Sequence, residues 1–252
     1  MHFLKPLLAI IAGLAAAAST SARAQAERLP VAEASAPPVY GELLAEYVAD
    51  GGVRYAAWHA DADDLQALRE VVGFYAGTRP PDGRSAALAW HLNAYNAWIL
   101  HNILDKYPTD GPLDGEMFFF HGDRIRISGE KTSFDHLEQD VIRKRFDEPR
   151  IHFALNCASQ SCPPLHHEPF TAANLDGTLE RLTRAFINDH PQGVVAGDAR
   201  TVRVSKVFEW YAADFGGKQG IIPYVNRYRE QPVAASAELE FMDYSWQLNE
   251  TR

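Results

Sequence analysis

One stretch of the chain, residues 85–106, predicts a helix that is apolar over most of its circumference. At roughly 100° per residue, one stripe is formed by the residues Leu88, Leu92, Tyr95, Ile99 and Ile103. The apolar sector is widened further by Ala89, Ala97, Leu100 and Leu104. A helix with so wide an apolar sector is buried among other elements. The stretch therefore predicts a central helix around which the rest of the chain must pack.

The rest of the chain alternates between helical and extended patterns. Further helices are predicted at residues 40–49, 61–75, 133–146, 174–188, 205–215 and 221–228. Short strands are predicted at residues 117–120, 124–127, 151–156, 194–196, 202–204 and 240–244. His121-Gly122-Asp123 and Gly197-Asp198 predict the turns of two hairpins. Because hairpins alternate with helices, we expect an α+β fold with helices packed on a small, mainly antiparallel sheet.

The N-terminus has the three-part pattern of a secretory signal peptide. Lys5 precedes the apolar residues 7–18, and Ala22-Arg23-Ala24 is a small-x-small cleavage site. The apolar stretch is shorter than the roughly 20 residues of a membrane-spanning helix, so no stable membrane anchor is expected after cleavage. The prediction is a signal peptide at 1–24, a loose Ala/Pro-rich leader at 25–38, a single domain at 39–252, and a periplasmic or secreted location.

The charge balance argues against one class of partner. The chain has 33 acidic and 24 basic residues and a net charge of −9. Nucleic-acid binding needs basic surface that replaces counterions, so no nucleic-acid partner is expected. No glycine motif for nucleotide binding is present. The prediction is a monomer that has no cofactor and binds a peptide or a small molecule.

Three polar side chains lie on predicted apolar helix faces. Asn93 and Asn96 fall within the apolar sector of the central helix, and Glu138 lies on the apolar stripe of the helix predicted at 133–146. A buried amide without a partner costs about 1–3 kcal/mol, and carboxylates are rarely buried unpaired. The asparagines therefore either tie loops to the core or line a polar cleft. Glu138 either pairs with an arginine or lies near a reaction centre.

The densest chemistry follows the strand predicted at 151–156. Alternation of side chains puts His152 and Asn156 on the same face of this strand. The strand leads into a loop of small residues that contains Cys157 and Cys162, and such loops often carry reactive groups. A histidine lowers the pKa of a neighbouring thiol, so His152 is a candidate base for a cysteine nucleophile.

The pattern leaves several states open for the two cysteines. A Cys157–Cys162 disulfide would close a small loop and suits an exported protein. A catalytic thiolate and a redox-active pair are two further interpretations, although the spacing is not that of thioredoxin-like motifs. A metal site with His152, His166 and His167 fits by ligand type, but the spacing matches no standard zinc pattern and no metal is predicted. The last interpretation is inert core cysteines.

Several motifs resemble one known family. Residues 151–165 resemble the signature of the domain-of-unknown-function 547 family, and residues 91–97 resemble its second marker. Further resemblances lie at residues 53–55, Phe119 with 125–129, 133–135 with Glu138, and 205–211 with Asp214 and Phe215. The resemblance spans roughly residues 40–228 and implies a mixed α+β domain with papain-like or transglutaminase-like thiol chemistry. Many members have a histidine where this chain has Gln139, which leaves His152 as the candidate base.

Two hypotheses of function follow. In the first, the protein is an exported thiol-dependent hydrolase or acyltransferase that acts on peptide or amide bonds. Cys162 or Cys157 would attack the carbonyl, His152 would hold the proton, and Glu138 or Asn156 would orient the imidazole. The candidate substrate-binding residues are Asn93, Asn96, Asn156 and Ser161. Asn93, Asn96 and the backbone amides of residues 158–161 could support an oxyanion. The alternative is a non-catalytic periplasmic binding or envelope-maintenance module with a structural Cys157–Cys162 disulfide.

Overall fold

The helix with the wide apolar sector lies at the centre of the fold. The computed structural model describes residues 28–49, 51–115, 118–196 and 200–251. In it, Arg84–Asp105 forms a helix that is buried along most of its length, as the apolar pattern predicts. Most of the largest buried side chains belong to the core around this helix. Because burial of apolar surface is the main driving force of folding, this helix organises the elements that pack against it.

The other helices agree with the predicted ones to within a few residues. In chain order, α1 to α8 are Pro38–Tyr47, Tyr55–Ala60, Ala62–Gly77, Arg84–Asp105, 134–146, Leu175–Asn188, Lys206–Trp210 and Ile221–Asn226. The short α2 is not among the predicted helices, and a 3₁₀ turn, Ala212–Phe215, completes the helix predicted at 205–215. Asp61, Ser133 and Ser205 each accept a backbone N–H at the start of α3, α5 and α7, which is the usual role of such N-cap residues.

The strands among the described residues form three small sheets, which confirms the mixed α+β class. In chain order, β1 to β7 are Val48–Ala49, Gly52–Val53, Ile125–Ile127, Glu130–Thr132, Val194–Ala196, Thr201–Val204 and Glu238–Phe241. The pairs β1–β2, β3–β4 and β5–β6 are antiparallel, and β7 runs parallel to β6. The hairpin predicted between 194–196 and 202–204 is therefore present. Its predicted turn, Gly197-Asp198, lies outside the described residues.

The hairpin predicted between 117–120 and 124–127 is wrong. β3 pairs with the strand that follows it, β4, and not with the segment before it. The connecting residues Ser128 and Gly129 both have positive φ, which is what a tight type I′ turn requires. Residues 118–123 form turns instead of a strand. Phe119 is anchored there by its ring, which stacks on Phe134 in the core at 5.5 Å between centroids.

The strand predicted at 151–156 is also wrong, because Pro149–Phe153 is a 3₁₀ helix. Pro149 suits the first turn of a helix, where its missing N–H is not needed, and the Glu148 side chain accepts the amide of Arg150. Ile151 belongs to the core around α4, whereas Phe153 belongs to a second core beside β5–β7. Both sides of this segment are therefore buried, and alternation of side chains could not distinguish a half-buried strand from it.

The predicted N-terminal segments lie mostly outside the described residues. This applies to the signal peptide, 1–24, and to residues 25–27 of the predicted loose leader. Residues 28–38 lie against α3 and α4. Ala32 is buried and its amide donates to the carbonyl of Arg79 at 2.8 Å, and the Ser35 carbonyl accepts from Tyr75 Oη. Among the helices that the structure describes, none is long and apolar enough to cross a membrane.

Candidate functional site

A pocket of about 440 Å³ contains both cysteines and His152 in its wall. Its wall is formed by residues of α4, α5 and α7, the segment 152–163 and two segments near residues 120 and 245. The lining residues are Tyr95, Phe120, His121, Asp135, Glu138, Gln139, His152, Leu155, Cys157, Cys162, Pro163, Val207, Trp210, Tyr211, Tyr244 and Trp246. His152 and both cysteines thus line the same pocket.

The cysteine loop, residues 157–162, is shaped by the side chain of Asn156. Asn156 Oδ1 accepts the amide of Ala158 at 2.9 Å, and Asn156 Nδ2 donates to the carbonyl of Pro163 at 2.9 Å. Ala158 has a φ of 62°, in the left-handed region that a non-glycine residue rarely adopts. The side chain of Asn156 thus holds both ends of a strained turn, which places the two cysteines side by side.

The C-terminal segment holds the outer side of the cysteine loop. The amide of Gln160 donates to the carbonyl of Gln247 at 2.8 Å, and the amide of Asn249 donates to the carbonyl of Ala158 at 3.1 Å. These bonds fix the chain that carries Tyr244. Its hydroxyl consequently lies 3.1 Å from Cys157 Sγ. The C-terminal segment is therefore part of the site.

Both cysteines are free thiols in the structure, which differs from the predicted disulfide alternative. The backbone N–H of Cys157 donates to Cys162 Sγ at 2.9 Å. Cys157 Sγ lies 3.1 Å from Ser159 Oγ and 3.1 Å from Tyr244 Oη. Cys162 Sγ faces the carbonyl of Leu155 at 3.8 Å. The two thiols thus have different partners, although they line one pocket.

These partners move the two thiol pKa values in opposite directions. Burial by itself raises the pKa of the Cys157 thiol, but hydrogen bonds from Cys162, Ser159 and Tyr244 outweigh it and lower that pKa below its ordinary value. Burial and the neighbouring Cys157 raise the pKa of Cys162 well above its ordinary value. Cys157 is half-buried, whereas Cys162 is buried. Cys157 is therefore the thiol that forms a thiolate more readily.

His152 is held by a carboxylate that the sequence analysis did not assign to the site. His152 Nε2 donates to Asp214 Oδ2 at 2.7 Å, and the ring stacks on Tyr211 with centroids 3.9 Å apart. Arg143 also donates to both oxygens of Asp214 at 2.7 Å. Burial alone would raise the pKa of Asp214, but the bonds from His152 and Arg143 hold it well below its usual range. Asp214 is thus a carboxylate that can orient the imidazole.

Glu138, the residue predicted to orient His152, has other partners. Tyr95 Oη donates to Glu138 Oε2 at 3.2 Å, and the hydroxyl of Tyr211 is a second hydrogen-bond partner. Burial, followed by the charge of Glu138, raises the pKa of both phenols. Glu138 lies in the π-helical part of α5, Leu137–Arg143, and such turns occur frequently at functional sites. The predicted orienting role therefore passes to Asp214, while Glu138 remains in the pocket wall.

The two asparagines of α4 tie chain segments to the core. Asn93 accepts the amide of Phe170 at 2.9 Å and donates to the carbonyl of the same residue at 2.8 Å. Asn96 accepts the amide of Asn156 at 3.0 Å and donates to the carbonyl of Ala154 at 2.9 Å. Neither asparagine is among the described residues that line the pocket. Of the two interpretations of these amides, the structure favours the anchoring of loops.

The other two predicted substrate-binding residues also serve the loop. Asn156 shapes the cysteine turn, and Ser161 Oγ accepts the amide of Ser245 at 2.8 Å. Both are buried, and neither is among the described lining residues. They support the site from behind and do not face a ligand.

Five residues in or beside the pocket were not predicted from the sequence to be functional. Tyr211 and Asp214 lie in the motif 205–215, which was noted only as a family resemblance. Trp210, Tyr244 and Trp246 form an aromatic cluster with centroids 4.7–5.8 Å apart. Their aromatic type is the one signal that could have found them, because their distance from the cysteines along the chain hides the contact.

The predicted metal alternative has no counterpart among the residues that the structure describes. Within them, no group of three or more His, Cys, Asp or Glu side chains is placed to hold a metal ion. His166 is buried beside Phe170, and this burial lowers its pKa to about 4. His167 is exposed. These two histidines therefore lie apart from the pocket wall.

The fold and the pocket define a mixed α+β protein with a thiol pair and an imidazole–carboxylate pair in one site. A family model described as a protein of unknown function, DUF547, matches residues 82–187, so this part of the chain is similar to that family. The predicted family resemblance is confirmed for this region, which contains α4, Glu138, His152 and both cysteines. Comparisons with curated proteins and with solved structures find no match.

Proposed function

We propose that this protein is a thiol-dependent hydrolase or acyltransferase that acts on peptide or amide bonds, with Cys157 as its nucleophile. One observation carries the proposal. A half-buried thiol whose pKa is lowered by three hydrogen-bonding groups lines the same pocket as a histidine held by a carboxylate. Lowered thiol pKa values and oriented imidazoles are the two requirements of cysteine acyl-transfer chemistry.

The proposed reaction gives each of these groups a separate role. Cys157 Sγ bonds to the substrate carbonyl carbon, and the thiol proton passes to the His152 imidazole. His152 then gives this proton to the leaving nitrogen as the carbon–nitrogen bond breaks, and Asp214 stabilises the imidazolium between the two transfers. Water or another acceptor takes the acyl group from sulfur and returns its own proton through His152. The thiol is thereby restored.

Tyr244 is proposed as a donor to the oxyanion that forms during attack. Its hydroxyl lies 3.1 Å from Cys157 Sγ and 3.0 Å from Ser159 Oγ. A donor beside the attacking atom can follow the charge as it moves from sulfur to the carbonyl oxygen. This role replaces the one predicted for Asn93 and Asn96, whose amides are occupied by backbone groups.

We further propose that the protein acts after export, with the signal peptide removed. The support is the N-terminal pattern of a cation, a short apolar stretch and a small-x-small site. N-terminal sequencing of protein recovered from the periplasm or the medium should begin directly after Ala24. Recovery of the intact N-terminus from the cytoplasm alone would contradict export.

The thiol chemistry can be tested with p-nitrophenyl acetate, an activated acyl donor. We expect a burst of nitrophenolate and one acetyl group on Cys157, located by peptide mass spectrometry. Cys157→Ser should lower the rate constant of the burst about a thousandfold or more. Cys162→Ser, the matched control, should keep that rate constant within about tenfold of the unchanged protein. Circular dichroism checks that both variants fold. An acetyl group found on Cys162 or on surface amines, with none on Cys157, would refute the proposal.

A further inference from the structure

Glu138 is a buried carboxylate that forms no direct ion pair with the described residues, although the charge of Arg143 acts on it from a longer distance. It is 8% exposed and lines the pocket. Its hydrogen-bond partners are the neutral hydroxyls of Tyr95 and Tyr211. A buried carboxylate without a compensating cation is costly, since it has lost most of its hydration. The pocket wall therefore contains a buried carboxyl group whose direct hydrogen-bond partners are neutral hydroxyls.

The cation that is close to this region is already used. Arg143 donates to both oxygens of Asp214 and to Gln139. His152 Nε2 also donates a hydrogen bond to Asp214. Arginine bound in this two-point manner to a carboxylate has its charge and its geometry satisfied. Arg143 is consequently held by another carboxylate and not by Glu138.

The remaining charges in the wall add to the negative field. Asp135 is the other carboxylate of the wall and is half-exposed at its rim, where His121 lies 3.8 Å away. The described lining residues include no lysine and no arginine. A ligand that presents a carboxylate or a phosphate to this part of the pocket would meet two like charges. An ammonium group would meet two opposite ones.

Aromatic rings make up much of the rest of the wall. They are Tyr95, Phe120, Trp210, Tyr211, Tyr244 and Trp246. Trp210 is 45% exposed although it packs against its aromatic neighbours, so its ring is open to a ligand. Cations bind over the faces of such rings, most strongly over tryptophan. A carboxylate combined with aromatic faces is the chemistry that recognises an ammonium group.

We infer that the substrate of this pocket carries a cationic amine, which pairs with Glu138 and lies against the aromatic wall. This inference rests on the proposed function only in calling the ligand a substrate, because binding of the amine does not need the acyl-transfer step. It narrows the substrate class to peptides or amides that carry an ammonium group near the reacting carbonyl. The carboxylate of Glu138 is thus a specificity residue and not a catalytic one.

The inference is tested by ligand protection of Cys157 against iodoacetamide. Three ligands of equal chain length serve as probes, namely n-butylammonium, n-butanol and butyrate, at constant ionic strength and pH 7.5. Labelling of Cys157 is followed by peptide mass spectrometry. We expect n-butylammonium to protect at a concentration about tenfold lower than n-butanol, which corresponds to roughly 1.4 kcal/mol, and butyrate to protect least. Equal protection by the ammonium and the alcohol would overturn the inference.

Two variants on one helix assign the preference to a residue. Glu138→Gln removes the buried charge, and Asp140→Asn removes an exposed carboxylate that pairs with His136 and Lys144. We expect the first to lose the ammonium preference and the second to keep it. A preference that survives in a folded Glu138→Gln variant would refute the assignment. If that variant does not fold, the three-ligand comparison in the unchanged protein decides.

Failure of this inference can be separated from failure of the proposed function. Quenching of tryptophan fluorescence in Cys157→Ser reports ligand binding without any acyl transfer, because Trp210 and Trp246 line the pocket. A preference for n-butylammonium in that variant supports amine recognition even where no acetyl-enzyme forms. An acetyl-enzyme that forms in a protein with no such preference supports the proposed function and refutes amine recognition.

Discussion

The two ends of the pocket are built in different ways. The thiol end consists of Cys157, Cys162 and Ser159, which one short loop supplies, together with Tyr244. The imidazole end consists of His152 and Arg143, which are nine residues apart, and of Asp214, which lies 62 residues beyond His152 in the chain. The first is mostly a local structure and the second exists only in the folded protein. A short motif can therefore identify reactive atoms while leaving their partners unknown.

The two ends also differ in their electrostatics. At the thiol end, neutral hydrogen-bond donors lower the pKa of Cys157 against the opposing effect of burial. At the imidazole end, burial raises the pKa of Asp214, but hydrogen bonds from His152 and Arg143 outweigh it and lower that pKa. Ion pairs are sensitive to the loss of one partner, because the other is then left unpaired. Substitutions at the imidazole end should accordingly cost more stability than those at the thiol end.

Removal of the Asp214 charge is expected to have the largest effect. Asp214→Asn should lower the free energy of unfolding at pH 7 by about 3 kcal/mol, because it leaves the Arg143 charge unpaired. The value is at the low end for such pairs, since the Asp214 side chain is 24% exposed. Urea denaturation measures the change, and the exposed Asp140→Asn is the control. A loss no larger than that of the control would show that the imidazole end is not held by charge.

The same variant gives a test by pH. Pairing lowers the pKa of Asp214 in the folded state, so its stabilising contribution is present above the unfolded value of about 3.9 and is lost as the pH falls below it. The stability difference between the unchanged protein and Asp214→Asn should therefore shrink between pH 5 and pH 3. A constant difference over this range would contradict the assignment of the shift to Asp214.

An intermediate effect is expected at the link between the two ends. Asn96 bonds to the carbonyl of Ala154 and the amide of Asn156, which lie on the chain between His152 and Cys157. Asn96→Ala leaves both buried groups without this partner and should cost about 2 kcal/mol in the free energy of unfolding. Asn102→Ala on the same helix is the control, because the side chain of Asn102 donates to the carbonyl of Trp98 one turn earlier in that helix. Equal losses in the two variants would refute the anchoring role.

The smallest effect is expected at the thiol end. Tyr244→Phe removes one hydroxyl from Cys157 Sγ and leaves Ser159 in place. The midpoint pH for iodoacetamide labelling of Cys157 should rise by about one pH unit, since donors to a thiolate lower its pKa. Tyr228→Phe, outside the pocket wall, is the control and should leave the midpoint unchanged. A midpoint unaffected by Tyr244→Phe would mean that the other donors suffice.

Sequence reasoning succeeded where the pattern was long or local. The wide apolar sector of α4 was predicted because many apolar residues repeat with helical period and must be buried. The proximity of Cys157 and Cys162 could be predicted because residues that are five positions apart in the chain cannot be far apart in space. The strand predicted at 151–156 failed because both of its faces are buried in two different cores, and a short apolar run then has no period.

The amino-acid sequence by itself determined the central helix, the mixed α+β class and the presence of two cysteines within ten residues of a histidine. It could not determine which carboxylate holds that histidine, because Asp214 and Glu138 both lie in segments rich in apolar residues and the sequence does not distinguish them. Only tertiary packing brings Asp214 to 2.7 Å from His152 and Tyr244 to 3.1 Å from Cys157. The physical reason is that hydrogen bonds and ion pairs act over a few ångströms in space, whereas the sequence gives distance along the chain alone.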